Sequence, residues 1–472
     1  MFFLIKKKYF IYIYIYIMGG GLMQLVAYGA QDVYLTGNPQ ITFFKVVYRR
    51  HTNFSMESIK QNPKGSDEDK TWNITRSGDL IYSMFIEWSW NKNQTVHRRY
   101  QGNDSLTHLN QYNGFFDKIK YNCEIGGQIV DKFDGYWRRI YNSLYDLNPT
   151  SDDNTLSSYM EKRGNFNLPF WFCRNPGLAL PLIALQYHEV NINMQINNTN
   201  NKEAYCSDPS LWVDYIYLDT DERRRFAQVS HEYLIEQVQK QTFNVDNITQ
   251  NFNLHFNHPV KELQWIFVRK GTGIDNCEPV MSENDLCHNN VDHCNVILKL
   301  NGQDRFQEQK LGFFADYQKY KYHTGTGNLC NLDGDLDLNI STLEYVIKKM
   351  TKENSTSTAM GTINQSLSFS GKLSGLSNPP DELLRADMIT EITKTNQRNS
   401  KCPVYTYSFA LKPEEHQPSG TCNFSRIDSS SLNFSNMKGV TRSDQNIKLL
   451  VYAVNYNVLR VMSGMGGLAY SN

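Results

Sequence analysis

The sequence carries no excess of charge of either sign. Lysine and arginine number 48 and aspartate and glutamate also number 48, in a chain of 472 residues. Proteins that bind nucleic acid over a large surface neutralise its phosphates with surplus basic residues. A neutral chain of this kind cannot hold DNA by charge neutralisation over its whole surface.

Long apolar runs are also missing, apart from a short one at the amino terminus. Residues 1–17 read MFFLIKKKYFIYIYIYI, and their apolar part is shorter than the roughly 20 residues that span a bilayer. We interpret this stretch as non-native: the Ile-Tyr alternation is what an AT dinucleotide repeat encodes, and Met18 follows at once. A signal or anchor and a basic amino-terminal arm are the alternatives.

Common enzyme motifs do not occur. The sequence contains no Gly-x-Ser-x-Gly, no phosphate-binding loop and no His-Glu-x-x-His, which are the signatures of several hydrolase and nucleotide-binding classes. The nine cysteines are odd in number and irregularly spaced, which indicates free thiols from a reducing compartment and not a disulfide framework. We therefore predict that the protein is not an enzyme and has no catalytic residue and no cofactor.

Two segments imitate metal sites without meeting their requirements. Six residues fall at the ligand positions of a calcium loop, but Leu338 replaces the glycine that its turn needs, and Ser341 and Glu344 form a helix-capping box instead; the six are Asp333, Asp335, Asp337, Asn339, Ser341 and Glu344. The second segment has no zinc-type Cys-x₂₋₄-Cys spacing; it contains Cys277, Cys287, His288, His293 and Cys294. We predict no metal site.

Apolar residues recur at every second position, which is the pattern of a strand with one buried face. It occupies the even positions of 79–90, the odd positions of 119–125 and the even positions of 190–196. Gly126-Gly127 joins two such runs and suits a tight hairpin. In the second half the pattern covers 251–256 and 405–411, and residues 447–461 predict one long strand or two short ones.

Helices are predicted to be few: the best candidates are 134–147, 219–228 and 341–352. Many short strands and few helices predict an all-β fold of sandwiches or barrels. Each half suits one eight-stranded jelly-roll β-sandwich, so we expect two consecutive jelly rolls with a few short helices and long surface loops. The charged segment Asp219–Arg225 separates two strand-rich halves. We predict an amino-terminal arm at 1–21, a first jelly roll at 22–225 and a second at 226–472, with a Ser-, Thr-, Asn- and Gly-rich surface insertion at about 328–400.

Five long stretches resemble the major capsid proteins of nucleocytoplasmic large DNA viruses. They are Gly29–Phe54 (GAQDVYLTGNPQITFFKVVYRRHTNF), Leu168–Leu182 (LPFWFCRNPGLALPL), Asp221–Phe226 (DERRRF), Gln417–Asp428 (QPSGTCNFSRID) and Tyr456–Tyr470 (YNVLRVMSGMGGLAY). They occur in the expected order across residues 22–472, whereas residues 1–17 and the insertion have no counterpart. Matching stretches of this length are far more specific than a short motif.

The resemblance implies a structural protein of the virion that is assembled in the host cytoplasm. Three chains of two jelly rolls each would form a homotrimeric, pseudo-hexagonal capsomer that tiles an icosahedral shell. Its partners would be neighbouring capsomers and minor capsid proteins, with an internal membrane reached through the minor proteins and without sequence-specific binding of nucleic acid. We expect the Gly-rich stretch 463–467 and the turn 417–420 to lie near subunit contacts, with a plain local turn as the alternative.

Other functions remain open on the residues alone, because jelly rolls also occur in lectins and in cupin metalloenzymes. A minor capsid or vertex protein, or a carbohydrate-binding jelly roll of the same virus, is the main alternative. The basic clusters Arg49-Arg50-His51 and Asp221–Arg225 are compatible with nucleic-acid binding. We interpret them as sources of ion pairs between subunits, since arginine is enriched at protein interfaces.

Overall fold

The structure is a computed structural model. It describes residues 53–66, 69–88, 119–145, 165–196, 209–270, 277–279, 294–325, 403–437 and 447–470, together with scattered residues between 30 and 52. Residues 1–52 and 53–472 form two separate compact units. The predicted helix at 341–352, the calcium-like loop and the insertion at about 328–400 lie outside the described residues.

The first half of the larger unit is built from short antiparallel strands. In chain order the described strands are β1 (Phe54–Gln61), β2 (Lys64–Gly65), β3 (Asp69–Asn73), β4 (Leu80–Glu87), β5 (Lys120–Ile125), β6 (Gln128–Asp134), β7 (Asn165–Asn167), β8 (Leu180–Pro181), β9 (Val190–Gln195) and β10 (Ser210–Leu218). They form sheet I, in the order β1-β10-β4-β7 with β8 on β4, and sheet II, in the order β2-β3-β9-β5-β6.

The second half is built in the same style. Its described strands are β11 (His231–Val245), β12 (Gln250–Asn253), β13 (Pro259–Lys270), β14 (Cys277–Pro279), β15 (Asn295–Leu300), β16 (Gln303–Asp304), β17 (Gln309–Lys310), β18 (Tyr405–Ser408), β19 (Cys422–Asn423), β20 (Ser430–Ser435), β21 (Ile447–Met462) and β22 (Met465–Leu468). Sheet III has the order β11-β21-β13-β14, with β18 and β19 on β13 and β22 on β21; sheet IV has the order β12-β20-β15-β16, with β17 on β15.

The two halves share one strand topology. If the two-residue strands β2 and β8 are left out, the first half has eight strands. Numbered 1 to 8 in chain order, these strands lie in the order 1-8-3-6 in sheet I and 2-7-4-5 in sheet II. In the second half, β11, β12, β13, β15, β16, β18, β20 and β21 take the same ranks and give the same two orders. The first strand therefore pairs with the last and the second with the next to last, which is the wrapping of an eight-stranded jelly roll.

Helices occur at the ends and connections of strands. In the described ranges they are α1 (Gly135–Leu144), α2 (Trp171–Arg174), α3 (Thr220–Gln228) and α4 (Gln318–Tyr322), with a π-helical turn at Phe313–Tyr317 and short 3₁₀ turns at Pro176–Leu178 and Phe424–Arg426. The predicted helices at 134–147 and 219–228 are confirmed as α1 and α3. Asp134 and Asp219 cap their amino termini with side-chain oxygens that accept backbone N–H groups, as is usual for aspartate.

Most of the predicted strand patterns are confirmed, and one is wrong in part. The apolar residues at odd positions of 119–125 and at even positions of 190–196 are all buried, and Gly126-Gly127 forms the predicted hairpin with positive φ at both residues. On β4, however, a register shift opposite Asp214/Tyr215 interrupts the alternation. Because a bulge switches the face of the residues beyond it, Leu80 and Tyr82 pack in a separate small cluster while Met84 and Ile86 enter the main core.

Sheet III is buried on both faces. On β21, Leu449, Val451 and Ala453 pack into the core of the second half. Their neighbours Leu450, Tyr452 and Val454 pack into the core that sheets I and II form in the first half. A strand covered on both sides reads as a continuous apolar run, which explains why residues 447–461 showed no alternation. The structure has one strand there, Ile447–Met462.

Candidate functional site at the junction of the two halves

Polar residues at the junction tie the first half to sheet III. Asp134, at the end of β6, caps α1 through a hydrogen bond of 2.9 Å from the Trp137 amide. Its carboxylate also accepts hydrogen bonds from the Lys240 ammonium on β11 and from the Tyr452 hydroxyl on β21, the latter at 3.0 Å. One carboxylate therefore fixes a helix of the first half and two strands of the second.

A buried carboxylate bridges two cations beside it. Glu236 on β11 receives Lys261 Nζ at 2.7 Å and Arg174 Nη1, from α2, at 2.6 Å. Burial by itself raises the pKa of the Glu236 carboxyl, but Lys261 and Arg174 outweigh it and hold the pKa below its usual value. Arg174 also lies over the ring of Trp137, 5.2 Å from its centroid. Glu236 is thus ionised and joins the two halves.

A buried histidine forms the next part of the junction. His323 follows α4, and its ring nitrogens lie 3.3 Å from Glu262 Oε2 and 3.4 Å from Glu414 Oε1. Burial by itself lowers the pKa of His323, but the two carboxylates outweigh it and raise the pKa to about 9. Glu262 also accepts a hydrogen bond from the hydroxyl of Tyr145, which follows α1. An imidazolium between two carboxylates therefore connects α1, β13 and the loop that contains Glu414.

Backbone contacts accompany this ion pair. The Gly325 amide donates to the Leu144 carbonyl at 2.8 Å, and the rings of Tyr145 and His323 meet edge to face at 5.4 Å. A Cβ atom at Gly325 would overlap the Ser143 carbonyl oxygen and lie 2.7 Å from the Leu144 carbonyl oxygen. The approach of the two segments therefore depends on glycine.

Asp131 on β6 completes the buried charges. It is 2% exposed, and one of its oxygens accepts a hydrogen bond of 2.9 Å from the Lys132 amide. Burial raises its pKa from 3.8 to about 7, although Arg174 acts against the shift. We call the seven residues of this region the junction network: Asp131, Arg174, Glu236, Lys261, Glu262, His323 and Glu414.

The carboxyl-terminal hairpin β21–β22 provides a further contact across the junction. The Tyr187 amide donates to the Gly464 carbonyl at 2.9 Å, and the Gly466 amide lies 3.2 Å from His188 Nδ1. A Cβ atom at Gly466 would come 2.7 Å from the Leu185 side chain. The close approach that the Gly-rich stretch 463–467 permits is thus made within the chain, against the first half. Contacts of this stretch between subunits stay a prediction.

The basic cluster at Asp221–Arg225 also makes a contact within the chain. Arg223 Nε on α3 lies 2.8 Å from Oδ1 of the buried Asp79. Asp221, Arg224 and Arg225 are exposed and Glu222 is half-buried, on a helix that has no buried residue. Arg223 therefore makes a contact within the fold, and the ion pairs between subunits stay a prediction.

The junction network holds the two jelly rolls in contact. Its ion pairs, Arg174 and Lys261 with Glu236 and His323 with Glu262 and Glu414, join the two halves or neighbouring elements at the junction. No group of three or more potential ligands for a metal ion occurs in the described ranges. Of the cysteine and histidine cluster, Cys277 begins β14 and Cys294 is a buried thiol that forms no disulfide bond. Within the part of the chain that the structure describes, no helix is long and apolar enough to cross a membrane.

Two jelly rolls of equal topology, joined side by side within one chain, define the class of double jelly-roll capsid proteins. Solved structures support this class. A chain of the quasi-atomic model of the PBCV-1 virus capsid is 30% identical with a TM-score of 0.59, covering 91% of this chain and 100% of that one. The Faustovirus major capsid protein shares the fold at 11% identity and a TM-score of 0.54, over 92% and 94% of the two chains.

Sequence comparisons identify the family. The model described as "Major capsid protein N-terminus" matches residues 42–219, and "Large eukaryotic DNA virus major capsid protein" matches residues 222–331 and 391–467. The major capsid protein of Pyramimonas orientalis virus is 44% identical over 96% of this chain and its own full length, and that of Paramecium bursaria Chlorella virus 1 is 37% identical over the same shares. The chain belongs to the family of major capsid proteins of large eukaryotic DNA viruses.

Proposed function

We propose that this chain is the main building block of an icosahedral virion shell and that three copies form a pseudo-hexagonal capsomer. The repeated topology carries this proposal: a ring of three chains contains six jelly rolls of equal strand order. Such a ring has nearly sixfold outline although its true symmetry is threefold, and closed rings are the common form of homo-oligomers.

The junction network supports the proposal because a shell subunit must keep its two jelly rolls in one arrangement. Buried ion pairs with good geometry contribute to the choice of one arrangement over others.

We propose domain limits of 22–225 and 226–472 for the jelly rolls, with 1–21 as an amino-terminal arm and a surface insertion at about 328–400. The family match leaves residues 332–390 uncovered, which supports an insertion relative to the family model.

The proposed partners follow from this role. Neighbouring capsomers and minor capsid proteins contact the trimer, and an internal membrane is reached through the minor proteins. The balanced charge of the chain argues against extensive binding of nucleic acid. Assembly takes place in the host cytoplasm, a reducing compartment; this proposal is supported by Cys123, Cys173, Cys294 and Cys422, which form no disulfide bonds.

The mass and outline of the purified Met18–Asn472 product test the proposal. Sedimentation and negative-stain microscopy are expected to show a compact trimer with a hexagonal outline. A stable monomer at micromolar concentration would contradict it. A count of this chain in purified virions separates a major capsid protein, which dominates the particle by mass, from a minor vertex or carbohydrate-binding protein.

A further inference from the structure

The smaller unit, residues 1–52, exposes large apolar side chains. Phe44, Val46 and Tyr48 are 99%, 73% and 86% exposed. Phe44 lies in a turn and Lys45 in a bend, so the three side chains belong to one short segment without regular structure. Single exposed apolar residues are common on protein surfaces, whereas several close together indicate a contact with a partner.

The same segment is basic. Lys45, Arg49 and Arg50 are present, and no acidic residue occurs between Asp32 and Glu57. Residues 1–52 contain six basic residues and one acidic residue, a net charge of +5, so residues 53–472 carry −5 in a chain whose total is zero. From Met18 onwards the smaller unit still has a net charge of +2, with three basic residues and one acidic residue.

We propose that a docking arm, consisting of Phe44, Lys45, Val46, Tyr48, Arg49 and Arg50, packs against the larger unit of a second copy of this chain. The arm combines aromatic, aliphatic and arginine side chains, of which aromatic residues and arginine are enriched at protein interfaces. Its positive charge is complementary to the net negative charge of the larger unit, and such complementarity speeds and orients association. This inference rests on the proposed capsomer, for which it names a contact.

A triple substitution tests the arm. Phe44→Ser, Val46→Ser and Tyr48→Ser together should weaken self-association of the Met18–Asn472 chain on the order of 100-fold in sedimentation experiments, because several buried anchors are lost at once. The unfolding midpoint measured on the dissociated chain should not change, since the arm belongs to a separate compact unit. The matched control is Tyr320→Ser with Leu411→Ser, which removes residues that are 89% and 76% exposed on the larger unit and should leave association unchanged.

Each outcome has one meaning. If the unchanged chain and the control form trimers and the triple variant does not, the inference holds. If the triple variant also forms trimers, the inference is overturned while the proposed capsomer stands. If the unchanged chain is a monomer, the capsomer proposal fails and the inference fails with it. Binding to phosphatidylcholine–phosphatidylserine vesicles that the triple variant loses, with trimers intact, would also overturn the inference and assign the arm to a lipid surface.

Cross-linking provides a test that does not depend on any variant. A zero-length carbodiimide reagent applied to an equal mixture of ¹⁴N- and ¹⁵N-labelled chains should join Lys45 of one copy to a carboxylate within residues 53–472 of another copy. Mixed-isotope peptide pairs identified by mass spectrometry are the expected result. If Lys45 gives pairs within one copy only, while trimers are present, the inference is wrong.

Discussion

Removal of the charge on Glu236 should separate buried from exposed ion pairs in this protein. Glu236 bridges Lys261 at 2.7 Å and Arg174 at 2.6 Å, and the three side chains are 9%, 2% and 12% exposed. The substitution Glu236→Gln keeps the shape of the side chain and removes its charge. Lys261 and Arg174 then stay buried with less negative charge to compensate their positive charges.

The expected cost is large. Loss of one partner from a buried ion pair destabilises proteins by about 3–5 kcal/mol, because the remaining charge is left without compensation in a medium that solvates it poorly. The same strand provides a control. Glu232 on β11 pairs with Arg460 at 2.8 Å, but these side chains are 64% and 54% exposed. Exposed pairs of this kind contribute about 0–1 kcal/mol, so Glu232→Gln should change stability little.

Urea unfolding followed by tryptophan fluorescence measures the difference. Trp137 lies beside Arg174 and should report on the opening of the junction. Because a chain of this size need not unfold in two states, the midpoint of the first transition is compared among the unchanged chain, E236Q and E232Q. Equal midpoints for the two variants would refute the reasoning, since burial would then make no difference to the pair.

Three further predictions concern the junction. The pKa of His323 in the folded state, about 9, exceeds the 6.5 of an ordinary histidine. Its contribution to stability is therefore fully present below pH 6.5 and is lost as the pH rises through 9. His323→Gln should reduce the dependence of the unfolding midpoint on pH over this range, and an unchanged dependence would contradict the ion pair. The pKa of Asp131 in the folded state, about 7, exceeds the ordinary value of 3.8. The folded protein therefore keeps a proton that the unfolded chain has lost, and its stability falls as the pH rises from 3.8 to 7. Asp131→Asn should raise the unfolding midpoint more at pH 8 than at pH 5, and an equal effect at both pH values would argue against a buried acid. Gly325→Ala should cost about 1–3 kcal/mol through overpacking against the end of α1. Gly467→Ala, whose added Cβ would have its nearest neighbour at 3.5 Å, should be near neutral in the same urea unfolding assay, and equal midpoints for the two variants would contradict the close approach at Gly325.

The junction network was missed in the sequence, although part of it left a signal. Lys261 and Glu262 interrupt an otherwise apolar strand, and charged residues inside such a run indicate buried pairing. Arg174 and Tyr145 gave no such signal, because their partners lie far away in sequence: Arg174 and Glu236 are 62 residues apart, and Tyr145 and Glu262 are 117 apart. Spacing along the chain cannot predict which carboxylate meets which cation.

The pattern of apolar residues was sufficient for the fold class, because a two-residue period reports directly on a strand with one covered face. The pattern predicted β5 and β9, the Gly126-Gly127 hairpin and helices α1 and α3. The long stretches that resemble the capsid protein family predicted the double jelly roll. The pattern was wrong on β4, where a bulge changes the face at Tyr82, since a bulge depends on the register of the neighbouring strand.

The sequence by itself determined the class of this protein, the order of its two halves and the absence of common enzyme motifs. These properties depend on local periodicity and on long stretches of family-like sequence. Only the tertiary structure decided that both halves share the strand order 1-8-3-6 and 2-7-4-5, and that sheet III is covered on both faces. It also decided that Asp134, Glu236 and His323 connect the halves. Strand pairing and buried charge pairing join residues that are distant in the chain, so their energies arise only once the sheets have packed.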